Sequence, residues 1–173
     1  MKIIFIDLAR RTGFAFGDSA AKPISWSVEL GAPGEVGLHC AALARQLEMC
    51  REAHGAPDLV GIEHWMPPRK GMVDKNVEPS LRLNGAVHAI VGGLWKRPVV
   101  EPYPATIRAQ VCGQANAGDR RETKKMVVAT VKLLGLMPKD APNDDDRADA
   151  LAGWWWTAST HGRSWPGGEF NLR

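Results

Sequence analysis

The chain has 173 residues, 45% of them apolar and 24% charged, with a net charge of +3. That length suits one domain with a proper core and excludes two large ones, and the composition excludes a largely disordered chain. No run of about 18 apolar residues is present, so no membrane span is expected. Met1 leads straight into an apolar strand, so no signal peptide is expected either. Cys40, Cys50 and Cys112 are odd in number, far apart and without a C-x-x-C pair. They predict buried free thiols and a cytoplasmic protein. The small positive charge permits a nucleic-acid partner without requiring one, because an acidic site would hide basic patches in the sum.

Lys2 to Asp7 opens the chain as KIIFID. Its apolar run has no alternation, which predicts a strand buried on both faces at the centre of a sheet. Thr12 to Phe16 predicts a second strand. Ile24 to Leu30 alternates apolar and polar residues and predicts a half-exposed third. Short connections make these three an antiparallel meander. Glu35 to His54 has helical apolar spacing and ends at Gly55. Leu59 to Ile62 is a second buried strand, closed by Glu63. His64 to Glu78 is a long polar loop, a kind of segment often functional. Ser80 to Trp95 predicts a helix rich in small residues. Pro98 to Glu101 is a short fifth strand, and Pro104 to Val111 a short helix. Arg120 to Gly135 is a basic helix, and Asp144 to His161 the last one. Residues 1–161 are expected to form a single domain, with 162–173 as a tail. The helix Glu35 to His54 supplies the crossover that a parallel pairing of the first and fourth strands requires. The expected fold is α/β: a mixed five-stranded sheet with helices on both faces.

The carboxylates carry the chemistry. A charge at the end of a buried strand is costly unless it opens on a cleft or meets a cation. Asp7 fits that description, although it could equally start a turn or cap a nearby N–H. Glu63 repeats the design. The last helix begins Asn143-Asp144-Asp145-Asp146-Arg147-Ala148-Asp149. Asp146 and Asp149 are three apart and share one face. Asp144 and Asp145 are better read as first-turn acids that cap free N–H groups and suit the helix dipole. Asp149, followed by Ala150-Leu151-Ala152, is expected to face inward, and no buried basic partner for it is evident. Three segments thus direct acids toward one cleft. Like charges held together need a cation. Oxygen ligands without cysteine or histidine favour Mg2+ or Mn2+. Two such ions would clamp the attacking and leaving oxygens of a phosphodiester.

On these residues the chain resembles the RuvC-type Holliday junction resolvases of the RNase H-like, retroviral-integrase superfamily. The resemblance covers about Met1 to His161. It rests on the first strand with Asp7 and Arg11-Thr12-Gly13-Phe14-Ala15, on Gly61-Ile62-Glu63, on the Leu81 to Val91 helix, and on Asp146-Arg147-Ala148-Asp149-Ala150-Leu151-Ala152. The last element is the most specific. The resemblance implies an RNase H-like fold and cleavage of branched DNA. It also implies two metal ions held by Asp7, Glu63, Asp146 and Asp149, with Lys124 and Arg108 in the basic positions near the scissile phosphate. Leu8-Ala9 stands where the family usually has Pro-Gly, and Trp154-Trp155-Trp156 where it is mostly aliphatic. These departures imply a divergent branch, such as a phage member.

DNA contact is expected over several patches: Arg69, Lys70 and Lys75 in the long loop, with Arg108, and Arg120, Arg121, Lys124 and Lys125 on the basic helix. Trp65 would stack on an unpaired base or pack under the Pro67-Pro68 loop. Of Trp154 to Trp156, at least one should be core and one exposed or at an interface. His64 could assist a metal-bound water but is better read as a bystander, and His39, His54 and His88 as helix-surface or capping residues. A homodimer is expected through the helix 80–95, with Gly85, Ala86, Ala89, Gly92 and Gly93 allowing close approach and Leu81, Leu83 and Val87 adding apolar contacts. Competing readings are a flap or non-specific nuclease of the same fold, an actin-like ATPase and a catalytically dead DNA-binding module. The ATPase needs two such domains and Gly-rich nucleotide loops, and the dead module would not need four acids.

Overall fold

A computed structural model describes residues 1–32, 35–65 and 77–162. The strands are β1 (Lys2–Asp7), β2 (Arg11–Asp18), β3 (Ile24–Glu29), β4 (Leu59–Ile62) and β5 (Val99–Val100), in the sheet order β3-β2-β1-β4-β5. The β1–β2 and β2–β3 pairs are antiparallel, and β1–β4 and β4–β5 are parallel. The expected mixed five-stranded sheet is therefore present, with β1 at its centre.

The helices are α1 (Val36–His54), α2 (Val77–Val87), α3 (Pro104–Cys112), α4 (Arg120–Leu133) and α5 (Asp145–His161). The expected helix from Ser80 starts earlier, and beyond Val87 it continues as a π-helix over His88–Leu94. Side chains of β1 alternate between two cores, as a central strand requires. Ile3 and Phe5 join α3, α4 and α5 on one face, and Ile4 and Ile6 join α1 and α2 on the other. The Phe5 ring lies where a Cβ on Gly153 of α5 would fall, 2.1 Å from it, so α5 crosses the sheet at close range.

Several expectations change. His39 is buried, with Nε2 2.8 Å from the Ala32 carbonyl, because α1 tucks its first turn under the loop after β3. None of Trp154, Trp155 and Trp156 is exposed: Trp154 is fully buried and the other two pack against the same core. The helix is covered on more sides than a surface helix, so Trp155 and Trp156 are left only partly open. Leu83 and Val87 are buried in the chain's own core, so they cannot supply contacts to a partner. The three cysteines are free, Cys50 buried and the others partly so. Among the described residues no helix is long and apolar enough to cross a membrane.

Candidate active site

The centre of the site follows from strand register. Ile6 of β1 pairs with Ile62 of β4, so Asp7 and Glu63 come next, side by side at the ends of adjacent parallel strands. Along β1, Ile3, Phe5 and Asp7 share a face, and Leu59, Gly61 and Glu63 share the matching one. That is the face covered by α5. On the other flank Asp7 pairs with Gly13 of β2. The first turn of α5 rests on Gly13 and brings Asp146 and, one turn on, Asp149 to the same place. All four acids line one open cleft of about 1700 Å3. That exceeds the usual range for a small-molecule pocket, roughly 300–1000 Å3, and suits a polymer.

The start of α5 is fixed by Asp144. Its Oδ1 accepts from the Arg147 N–H at 3.1 Å, capping the helix, and its Oδ2 accepts from Ser27 Oγ at 2.6 Å and from Arg11 Nη2 at 2.9 Å. Burial would raise the Asp144 carboxyl, but the Ser27 hydroxyl, the Arg147 N–H and Arg11 outweigh it and hold the group below its ordinary value. The capping role expected for Asp144 is thus seen.

The cleft acids behave in the opposite way. Burial pushes Asp7 well above the usual carboxylate range, and the charges of Glu63, Asp149 and Asp146 add to it against Lys124. Glu63 is pushed up to about 7, by burial and then by Asp149, against Arg108 and Lys124. Asp149 is pushed up to about 6, again chiefly by burial, with Lys124 and Arg108 opposing. Asp146 is raised by burial despite Lys124 and Arg11. Negative charge here exceeds what the local cations neutralise.

Lys124 of α4 is the basic partner of Asp149 that the sequence alone did not reveal. Its Nζ lies 3.5 Å from Asp145, 3.8 Å from Asp146 and 4.0 Å from Asp149. The turn before α4 aims it: Asp119 accepts from the Glu122 N–H at 2.9 Å, and Thr123 Oγ1 donates to the Asp119 carbonyl at 2.8 Å. Arg108 of α3 lines the cleft and donates to Asn116 Oδ1 at 3.3 Å. Arg120 also lines the cleft, whereas Arg121 and Lys125 lie outside it, Lys125 paired with Glu122 at 2.7 Å. Trp65 is partly buried and does not line the cleft. Arg69, Lys70 and Lys75 lie outside the described residues. His64 turns away from the cleft. Its ring meets Tyr103 edge-on at 4.4 Å, and its Nδ1 lies 3.6 Å from Glu101. Glu101 also holds His88 at 2.8 Å and accepts from Asn84 at 3.2 Å, tying α2 and the π-helix to the ends of β4 and β5.

Sequence reasoning missed Glu101, Arg11 and Arg10. Arg10 reaches Glu29 at 2.8 Å, and Arg11 reaches Asp144 and, at 3.4 Å, Asp146. No spacing in the chain links Arg11 to residues more than 130 positions away; only the β2–α5 packing does. As to an ion, the donor set is all carboxylate oxygen and its surplus negative charge calls for a cation, which fits a hard divalent metal. Among the described residues the acids stand around the cleft, and no three His, Cys, Asp or Glu side chains gather closely enough to hold an ion as placed.

No protein-family model and no curated protein sequence matches the chain. Solved structures do. The RuvC of Thermus thermophilus matches with a TM-score of 0.63 at 21% identity, over 92% of this chain and 96% of that one. The same protein in complex with Holliday junction substrate matches with 0.66 at 20% identity, over 94% and 95%. The yeast mitochondrial Holliday junction resolvase matches with 0.52 at 12% identity, over 92% and 81%. At these identities the likeness is one of fold, and it extends over nearly the whole chain: this protein has the RuvC-type, RNase H-like fold.

Proposed function

We propose that the chain is a metal-dependent endodeoxyribonuclease that resolves four-way DNA junctions by paired phosphodiester hydrolysis. The observation that carries the reading is the meeting of Asp7, Glu63, Asp146 and Asp149 in one cleft walled by Lys124, Arg108 and Arg120. A fold shared with a RuvC bound to Holliday junction substrate supports branched DNA as the substrate class. Residues 1–161 would make up the nuclease domain, acting in the cytoplasm.

Asp7, Glu63, Asp146 and Asp149 would hold the ions, Mg2+ or Mn2+ and two per site. Bound there, the ions would supply Lewis-acid polarisation of the scissile phosphate and of the attacking water. The chain's own cations act around that centre. Lys124 sets a positive charge beside Asp146 and Asp149, where charge on the phosphoryl group would grow. Arg108, steadied by Asn116, is placed to hold a neighbouring phosphate and fix the backbone's direction. Arg120 is exposed at the same cleft and would neutralise the next phosphate along.

Two matched nicks in a two-fold symmetric junction call for two sites related by a dyad, hence a homodimer. Support comes from the helix through 80–95. Leu81, Gly85, Ala89, Gly92 and Gly93 are exposed along it, and an added Cβ on Gly85 or Gly92 would meet nothing within 4 Å. Nothing inside the described chain requires glycine at those two positions, whereas a second backbone packed against them would.

The test is nicking of a four-way junction, a flap and a linear duplex, each with Mg2+, Mn2+ or EDTA. Metal-dependent symmetric cuts confined to the junction are expected. Equal cutting of all three substrates would favour a less selective nuclease of the same fold, and no cutting by the wild-type chain alongside tight junction binding would favour a non-catalytic module.

A further inference from the structure

The Arg11 guanidinium lines the cleft beside the first turn of α5. It lies on the face of β2 that meets α5, the face it shares with Gly13. Its Nη2 donates to Asp144 Oδ2 at 2.9 Å and to Ser27 Oγ at 3.0 Å. Those two contacts hold the group from below, because Asp144 is itself fixed as the cap of α5. Its Nε is then 3.4 Å from Asp146 Oδ2. Lys124 approaches the other oxygen of the same carboxylate, Oδ1, at 3.8 Å. Asp146 therefore has a cation beside each of its oxygens. The two cations differ in kind. Lys124 stands over three acids of α5 on a long flexible stem, whereas Arg11 is a planar fork anchored by two other acceptors.

We propose that Arg11 is a positioning residue that shares Asp146 with the divalent ion, and so weakens ion binding at that carboxylate while keeping it oriented. The inference rests on the metal-site reading above. An ion approaching Asp146 must do so beside a fixed positive charge that cannot lose its proton. The repulsion acts on the ion's two charges, while Arg11, about half exposed, is partly screened by water. The Arg11 charge beside Oδ2 makes Asp146 a weaker ligand for a cation than an unpaired carboxylate would be. Occupancy at the Asp146 side would then respond to whatever else neutralises Arg11, and the DNA phosphate backbone entering the same cleft is the anion at hand. In this arrangement the DNA phosphates offset the Arg11 charge beside Asp146, and the site takes up its ion more tightly with substrate present than without.

The experiment is calorimetric titration of the full chain with Mn2+ alone, then with Mn2+ in the presence of a four-way junction made uncleavable by methylphosphonate linkages at the scissile positions only. Wild type, Asp7→Asn, Arg11→Met and Arg11→Lys are compared at one pH and ionic strength. Arg11→Met is expected to tighten Mn2+ binding in the absence of DNA by about threefold to tenfold. Arg11→Lys, which keeps the charge, should stay near wild type. The tightening that junction DNA brings in wild type should shrink in Arg11→Met. A merely structural Arg11 would give the opposite sign, because a loosened α5 would bind Mn2+ more weakly. Unchanged or weaker binding by a folded Arg11→Met would overturn the proposal. Should Arg11→Met fail to fold, Arg11→Gln keeps a donor for Asp144 and Ser27 without the charge and carries the same expectation. If wild type takes up no Mn2+, or Asp7→Asn takes up as much, the metal-site reading itself fails and this inference falls with it. Asp7-dependent binding that ignores Arg11 sinks this inference alone.

Discussion

Gly13 and Asp146 are in backbone contact: a Cβ on Gly13 would lie 1.9 Å from the Asp146 carbonyl oxygen. Gly13 is also the strand partner of Asp7. The absence of one side chain on β2 therefore sets how closely α5 can bring its acids to the end of β1. The neighbour is helix backbone and cannot swing aside as a flexible side chain would. Gly13→Ala should cost roughly 1–3 kcal/mol or more by overpacking. Cleavage should fall further than stability does, because the shift moves Asp146 and Asp149 away from Asp7 and Glu63. Urea unfolding and single-turnover cleavage check this together, and a wild-type midpoint with wild-type cleavage would refute it.

Asp7→Asn should abolish cleavage while leaving junction binding intact or tighter. It removes a proposed ligand and, at the same time, a charge that repels phosphate. Gel-shift titration in EDTA beside a cleavage assay in Mg2+ separates the two effects. Residual cleavage near the wild-type level would exclude Asp7 from the centre.

The raised carboxyls predict a pH effect on the metal-free protein. Glu63 at about 7 and Asp149 at about 6 lie above the value of about 4 that an unfolded carboxylate has. Between those limits the folded chain holds more protons than the unfolded one, so stability falls as pH rises from about 4 to 7. In EDTA the Tm should be lower at pH 7.5 than at pH 5.5. Mn2+ should restore more at pH 7.5, where the acids are free to ionise around it. A Tm that rises with pH across this window would contradict the assignment.

Gly85→Leu tests the dimer. The position is exposed and an added side chain meets nothing within 4 Å, so the fold should stand, with stability within about 0.5 kcal/mol of wild type. Sedimentation at micromolar concentration should show a dimer for the wild type and a monomer for the variant. A wild-type monomer, with and without junction DNA, would count against the dimer.

The cations should separate by salt dependence. Arg120→Ala removes a cleft charge and should flatten the salt slope of DNA binding by roughly one unit. Lys125→Ala should do less, since Lys125 is already paired with Glu122 and lies outside the cleft. Trp65→Ala should cost junction selectivity with little change in slope, because base stacking, about 1–3 kcal/mol per base, is nearly independent of salt. Equal loss on junction and linear duplex would instead make Trp65 a packing residue.

The sequence by itself determined the sheet and pointed to four acids that the structure brings to one cleft. Uninterrupted apolar runs at Lys2–Asp7 and Leu59–Ile62 suit strands inside a covered sheet, and the carboxylate that follows each run lines the cleft at the strand ends. The three-residue spacing of Asp146 and Asp149 put them on one helical face without any tertiary information. Tertiary structure decided what meets those acids. Lys124 and Arg11 reach them from other elements, and no local period encodes a contact between residues 11 and 146. It also decided the burial of His39, the covering of all three tryptophans and the inward turn of Leu83 and Val87. Each of these depends on which side of a helix a neighbour happens to occupy. Periodicity gives a helix an apolar face, but it does not say how many neighbours will cover it.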